Sequence, residues 1–210
     1  MVDILYSQNL CNSYLLISNN NAIIVDPGDN TNNRLINHIE KLKVNIVAIL
    51  ITHAHYDHIA ALEDVLKHFP DAITYVSDDE IDLLNNSRLN LSKYWVKELT
   101  FLPKKIIGLV DYEKINICGY EIEMIKTPFH TKGSCCYYLK DNNILFTGDT
   151  LFYSSIGRSD LPTGSERDIK NSLSKLLFID DKTLIYPGHG CKTTMERERK
   201  HNTYLKYLWK

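Results

Sequence analysis

No stretch of the 210-residue chain approaches the roughly 20 consecutive apolar residues that a bilayer-spanning helix needs. The first residues, Met1-Val2-Asp3-Ile4-Leu5, carry no basic cluster and no long apolar core, so no secretory signal is expected and the reading is a cytoplasmic protein. Net charge is nearly absent as well. The 24 Lys and Arg against 26 Asp and Glu leave −2, which supplies no field for nucleic acid or for an anionic membrane. The cysteines, Cys11, Cys118, Cys135, Cys136 and Cys191, are odd in number and form no CxxC or zinc-ribbon spacing. Cys135 and Cys136 are adjacent and would point to opposite faces of a strand, which argues for reduced thiols in a cytosolic setting. There is no low-complexity linker and no sequence repeat. Hydrophobic content of 44% and charged content of 24% are ordinary for a globular protein with a sizeable core.

What the chain does have is Thr52-His53-Ala54-His55-Tyr56-Asp57-His58, directly after the apolar run Ile46-Val47-Ala48-Ile49-Leu50-Ile51. The run is short and β-branched, so it reads as a buried strand with the polar cluster at its end. In an extended chain, residues two apart face the same way, so His53, His55 and Asp57 share a side and His58 follows as the chain turns. Neutral imidazole and carboxylate are the ligands that divalent zinc or iron accepts. A polar loop whose Asp57 caps the next helix is the plainer reading. Three His and one Asp within six positions argue against it.

Around this stretch the pattern alternates. Strands are expected at 2–6, 13–17 and 22–25, then a helix from Asn30 or Thr31 to Leu42 with Leu35, Ile36, Ile39 and Leu42 inward. After the histidine loop a helix over 58–68 is expected, then a short strand at 72–76. Ser77-Asp78-Asp79-Glu80 reads as a capping box that opens a third helix. Residues 87–105 read as loop with helical turns. Strands follow at 106–110, 114–117, 120–126, 135–139 and 143–147. A helix flanked at its start by Ser165 and Asp168 runs to Leu177, a strand covers 183–186, and a C-terminal helix spans Thr194 to Leu208. Helices outside two packed sheets would cover such a set.

Three further candidate ligands stand just after strands: His130 in Pro128-Phe129-His130-Thr131, Asp149 in Thr147-Gly148-Asp149-Thr150, and His189 in Pro187-Gly188-His189-Gly190. Each alone is an ordinary turn residue beside Gly or Pro. Together they repeat one plan, in which a buried strand ends in a sharp turn that carries a ligand, and strand ends at one sheet edge are where sites form. His38, His68 and His201 sit in helical patterns and read as surface or packing residues.

His-x-His-x-Asp-His, then a lone His, then Gly-Asp-Thr, then Gly-His-Gly resembles the metallo-β-lactamase fold superfamily over residues 22 to about 195. Asp149 in Gly-Asp-Thr resembles its glyoxalase II branch, the hydroxyacylglutathione hydrolases. The resemblance implies an α/β fold, the four-layer α/β/β/α sandwich, as one domain over 1–210 without the extra C-terminal helical domain of full glyoxalase II. It implies two divalent metal ions, zinc first, with iron or manganese also suited to the set. Carried over, His53, His55 and His130 hold one ion, Asp57, His58 and His189 the other, and Asp149 bridges them. Asp57 is also the candidate catalytic carboxylate. Asp26, in Ile23-Ile24-Val25-Asp26-Pro27-Gly28, resembles the family's supporting Asp behind the ligands.

Ser155-Ile156-Gly157-Arg158-Ser159-Asp160 resembles a segment of short glyoxalase II-like proteins and of persulfide dioxygenases. Arg158 stands where the former bind the anionic part of a substrate. The plainer reading pairs it on the surface with Asp160 or Asp168. Phe129 and Lys132 depart from the family pattern near the pocket mouth, and Cys191 stands where Pro is common. The activity implied is hydrolysis of a small thioester, since a thiolate with a pKa of about 8.5 leaves without the protonation an amine requires. The partner expected is that small molecule, with no nucleic acid and no membrane. Competing classes are a mononuclear iron persulfide dioxygenase and a non-catalytic metal-binding module.

Overall fold

The computed structural model describes residues 2–5, 7, 11–95 and 98–208, with side chains given up to 206. The chain divides into two compact units, Met1–Leu109 with Ile117–Gly119, and Val110–Asn116 with Tyr120–Lys210. Each is built on a six-stranded sheet.

In the first unit the strands lie in sequence order: Val2–Leu5, Ser13–Ser18, Asn21–Val25, Asn45–Ile51, Ile73–Ser77 and Ile106–Leu109. The last four run parallel to one another. Their carboxyl ends therefore lie at one edge, where Asp26 and the histidine loop emerge. The apolar run Ile46–Ile51 is unbroken rather than alternating because the strand is central and covered on both faces: Ile49, Leu50 and Ile51 are all fully buried. One face packs Ala22, Ile24, Ile46 and Ile49 against Leu35, Ile36 and Ile39 of the helix Arg34–Leu42 and against Leu62 and Val65 of the helix Leu62–His68. Each such aliphatic side chain contributes about 1.5–3 kcal/mol when fully buried.

The second unit orders its sheet as Thr193–Thr194, Leu184–Pro187, Ile144–Gly148, Cys135–Leu139, Tyr120–Lys126 and Lys114–Ile117. Leu184–Pro187 is parallel to Ile144–Gly148, and Cys135–Leu139 is antiparallel to both of its neighbours. So Tyr120–Lys126, Ile144–Gly148 and Leu184–Pro187 all end at one edge. Leu173, Leu176, Met195 and Leu205, from the helices Ile169–Leu176, Met195–His201 and Thr203–Leu208, pack on Ile125, Cys136, Leu145 and Ile185.

Strand and helix positions follow the sequence reading, with corrections where side chains recruit the backbone. The expected strand 2–6 is Val2–Leu5, position 6 lying outside the described residues. The helix expected over 58–68 is two, Tyr56–Ile59 and Leu62–His68, because the Ala61 N–H leaves the helical ladder and donates to Pro27 O at 2.9 Å. The C-terminal helix breaks at Asn202, whose side-chain amide donates to Ser155 O and to Glu198 while its carbonyl accepts from Tyr204 N–H. The capping box at Ser77 does not form: no side chain caps that turn, and Glu80 is engaged elsewhere. Phe129 is fully buried in the second core and does not shape a pocket mouth. No helix among the described residues is long and apolar enough to cross a membrane.

Candidate metal centre

In the first unit four candidate ligands share one loop at the end of Asn45–Ile51. The candidate ligand atoms of His53 and His55 lie within 4.8 Å of each other, as do those of His53 and His58, and of Asp57 and His58. His53 stands edge-on to His55 and tilted to His58, with ring centroids 4.8 and 4.0 Å apart. All three rings are buried, and Asp57 is the more open member at 26% exposure. Asp57 does not cap the helix Tyr56–Ile59. His55 takes the N-cap position and Asp57 lies in the first turn, where a carboxylate also suits the helix dipole.

Behind this loop sits Asp26, at the end of the adjacent parallel strand. Its carboxylate accepts from Thr52 N–H at 2.8 Å, from the Thr52 hydroxyl at 2.6 Å and from His58 Nδ1 at 2.9 Å. An ionised carboxylate only accepts, so His58 carries its proton on Nδ1 and turns the Nε2 lone pair away from Asp26. The Thr52 hydroxyl spends its one proton as a donor to Asp26, so it accepts from His53 Nδ1 at 3.3 Å, and His53 also presents Nε2. Asp26 holds a left-handed backbone, φ 49°, which Asp tolerates and these bonds secure. Gly28 closes the loop from behind: a Cβ there would meet Asp57 O at 2.1 Å and Cys11 Sγ at 2.6 Å. Burial pushes the Cys11 thiol up to about 12, so it stays protonated, and its S–H donates to Asp26 O at 3.6 Å.

In the second unit His130, Asp149 and His189 come from three different strand ends. Asp149 lies between the histidines, Oδ2 at 3.4 Å from His130 Nε2 and Oδ1 at 3.6 Å from His189 Nε2. His130 Nδ1 donates to Arg158 O at 2.8 Å, and a carbonyl only accepts, so Nε2 again carries the lone pair. Gly188 N–H donates to Gly148 O at 2.8 Å and so ties the His189 turn to the Asp149 turn. Gly157 is forced by close approach: a Cβ would meet Asp149 O at 1.9 Å and His130 Nδ1 at 3.3 Å.

The donors fit divalent ions. Two ligand atoms each about 2.1 Å from one ion at tetrahedral angles are about 3.4 Å apart. The His130–Asp149, His189–Asp149 and His58–Asp57 separations are 3.4, 3.6 and 3.8 Å, longer than good hydrogen bonds. Nitrogen and carboxylate oxygen in this proportion suit zinc, iron or manganese.

Arg158 is exposed, and its guanidinium forks onto Asp160 with two 2.6 Å bonds, as the plainer reading had it. Those bonds hold the Asp160 carboxyl down at about 2. Cys191 is exposed, and no two of the five cysteines are joined in a disulfide. Outside the centre, His38 meets Asp3, and His68 Nδ1 meets Asp64 O at 2.9 Å. Two supporting residues escaped the sequence reading. Glu80 was hidden inside an apparent capping box. Gly157 stands inside the longer segment 155–160, and its spacing from Asp149 carries no sequence signal.

A two-unit α/β chain with candidate metal ligands at the carboxyl ends of its strands is the metallo-hydrolase plan that the motifs pointed to. The chain belongs to the metallo-beta-lactamase superfamily, whose family model matches residues 7–189. Hydroxyacylglutathione hydrolase GloC of Haemophilus influenzae is 32% identical over 187 residues, covering 88% of this chain and 87% of that protein. Among solved structures, the BLEG-1 B3 metallo-beta-lactamase matches with a TM-score of 0.89 at 32% identity, covering 98% of this chain and 99% of that one. TTHA1623, solved in a di-iron-bound form, matches with a TM-score of 0.83 at 28% identity, covering 95% and 98%. The mixed α/β metallo-β-lactamase fold expected from the motifs is the fold of this chain.

Proposed function

We propose that the chain is a binuclear metal-dependent hydrolase of small thioesters, of the hydroxyacyl-thiol kind. In this reading, carried over from the motif resemblance, His53, His55 and His130 would hold one ion, Asp57, His58 and His189 the other, and Asp149 would serve both. The observation that carries this reading is Asp149, which turns one oxygen toward His130 and the other toward His189, as a bridging carboxylate must. The similarity to hydroxyacylglutathione hydrolase GloC supports the thioester class.

Bound divalent ions lower the pKa of water to about 7 and polarise a carbonyl. The protein's part is to keep that arrangement in place. Asp26 and Arg158 O hold His58 and His130 with Nε2 outward, so the rings do not reorient when an ion leaves or a substrate enters. Asp57, the most open of the four ligands on its loop, is the carboxylate best able to take and return a proton at the nucleophile. Arg158 lies on the same segment as Gly157 and meets the anionic part of the thiol carrier by exchanging Asp160 for it. That exchange costs little, because both partners are exposed and water screens the pair. Free thiols fit a cytosolic setting.

The test is a substrate panel on zinc-, iron- and manganese-loaded protein: several thioesters, a β-lactam, a phosphodiester, and glutathione persulfide with an oxygen electrode. Thioester turnover abolished by His55→Ala supports the proposal. Oxygen uptake with persulfide and no thioester turnover replaces it with a dioxygenase, and β-lactam turnover alone replaces it with a lactamase.

A further inference from the structure

Arg197, Glu198 and Asn202 spend their polar groups on one small turn, and that turn leads into the supports of His130 and Asp149. The strands Leu151–Phe152 and Ser155–Ile156 pair antiparallel into a ribbon with Tyr153 and Ser154 at its tip. Ser154 holds φ at 59°, a left-handed backbone that a serine adopts only where its surroundings impose it. Those surroundings are the helix Met195–His201 and Asn202, the residue that ends it. Glu198, fully buried, accepts from the Ser154 N–H at 2.8 Å. Arg197 donates to the Ser154 hydroxyl at 2.9 Å and lays its guanidinium over the Tyr153 ring, 3.4 Å from the centroid. Asn202, also fully buried, donates to Ser155 O at 3.0 Å. Glu198 is fixed in turn by Thr193, Arg197 and Asn202, at 2.6, 2.6 and 3.1 Å. A turn that had only to close would carry glycine at such a φ. Here side chains from another element set its direction.

That direction matters to the centre. Only Ile156 and Gly157 separate Ser155 from Arg158. Gly157 packs so close that a Cβ would meet Asp149 O at 1.9 Å and His130 Nδ1 at 3.3 Å, and Arg158 O accepts from His130 Nδ1 at 2.8 Å. A tilt of the ribbon therefore moves the carbonyl that fixes the His130 tautomer, and such a bond weakens steeply beyond about 3.2 Å. We propose that Arg197, Glu198 and Asn202 are positioning residues of the metal centre, an inference that rests on the binuclear reading above. They hold the ribbon at the one tilt that presents Arg158 O to His130 Nδ1 and so keeps the His130 lone pair on Nε2. The C-terminal helices are then part of the centre's scaffold as well as cover for the sheet.

The test begins without metal. Asn202→Ala removes the bond to Ser155 O. Arg197→Ala is the milder cut, at a partly exposed residue, and removes the bond to Ser154 and the cover on Tyr153. Leu205→Ala opens a cavity in the adjoining helix Thr203–Leu208 and controls for lost stability alone. Nitrogen NMR of the imidazoles reads the His130 tautomer, thermal melting reads stability, and competition with a chromophoric chelator reads zinc affinity. Wild type should show His130 protonated on Nδ1. Asn202→Ala should mix the two neutral tautomers and bind zinc about tenfold more weakly, and Arg197→Ala should shift the same way by less. Leu205→Ala should melt at least as early as Asn202→Ala yet keep the wild-type His130 signals. The proposal is overturned if His130 is unchanged in both Asn202→Ala and Arg197→Ala, or if Leu205→Ala disturbs it equally. Should Asn202→Ala fail to fold, Arg197→Ala decides alone. Wild-type protein that takes up no second ion would sink the binuclear reading instead, and the two failures stay separate because the His130 comparison needs no metal.

Discussion

The two units hold their candidate ligands by opposite means. The first uses a single loop, with four ligands within six residues, its rings buried and oriented by side chains: Asp26 on His58, Thr52 on His53, Glu80 on the Ala54 N–H. The second draws three ligands from three strand ends and orients them through backbone, Arg158 O on His130 and the Gly188 to Gly148 bond under His189. It is also the more open half, with His189 40% exposed. A loop that concentrates ligands needs carboxylates behind it, since its own backbone is spent on turning. Ligands dispersed over strand ends are placed by the sheet and by close glycine contacts.

The largest effect should come from Asp149, the residue proposed to serve both metal positions. Asp149→Ala removes the bridging carboxylate and leaves two cations repelling each other. It should lower kcat/KM by about a hundredfold or more and reduce bound metal from two ions to one, read by elemental analysis. Full occupancy with near-normal turnover would end the bridging role. Next come paired attacks on the two orienting devices. Asp26→Asn should weaken metal binding about 10–100-fold through loss of the His58 and Thr52 contacts, while the second half keeps its geometry. Gly157→Ala should do the reverse, since the Asp149 carbonyl 1.9 Å from the new Cβ must shift. It should destabilise the fold by about 1–3 kcal/mol and perturb His130, with the first-half ligands unaffected in a histidine NMR spectrum. Equal damage to both halves by either variant would remove the distinction.

A smaller effect is expected from Arg158→Ala, whose exposed pair with Asp160 adds little stability. KM for an anionic thioester should rise about tenfold with kcat held, and the melting temperature should stay put. A fall in kcat at constant KM would make Arg158 a transition-state group. The gentlest probe is alkylation of the native protein. Cys191, beyond His189, is exposed and should react at once. Cys11, packed under Gly28 with its thiol pushed up to about 12, and Cys136, pushed up by burial to about 11, should wait for unfolding. Fast labelling of Cys11 would show that the first half opens more readily than its packing implies.

Much of the centre was legible because its first half is local. Ligands two residues apart after an apolar run need no tertiary knowledge to be read, and His130, Asp149 and His189 repeat the same strand-then-turn pattern. Helix boundaries failed wherever a distant group captured a backbone donor or offered a carbonyl. Ala61 turned to Pro27, Asn202 reached Ser155, and neither partner lies near in sequence. Ser77-Asp78-Asp79-Glu80 satisfies every local rule for a capping box, yet the glutamate bonds across to Ala54. The sequence by itself determined the ligand types, their order and the strands that carry them, because apolar period and turn chemistry are written in neighbouring residues. Only the tertiary structure decided which nitrogen of His53, His58 and His130 carries the proton, why Gly157 must be glycine and what Glu80 holds. Those depend on a contact between residues 26 positions apart, Glu80 and Ala54, and on a Gly157 Cβ position that would clash with Asp149.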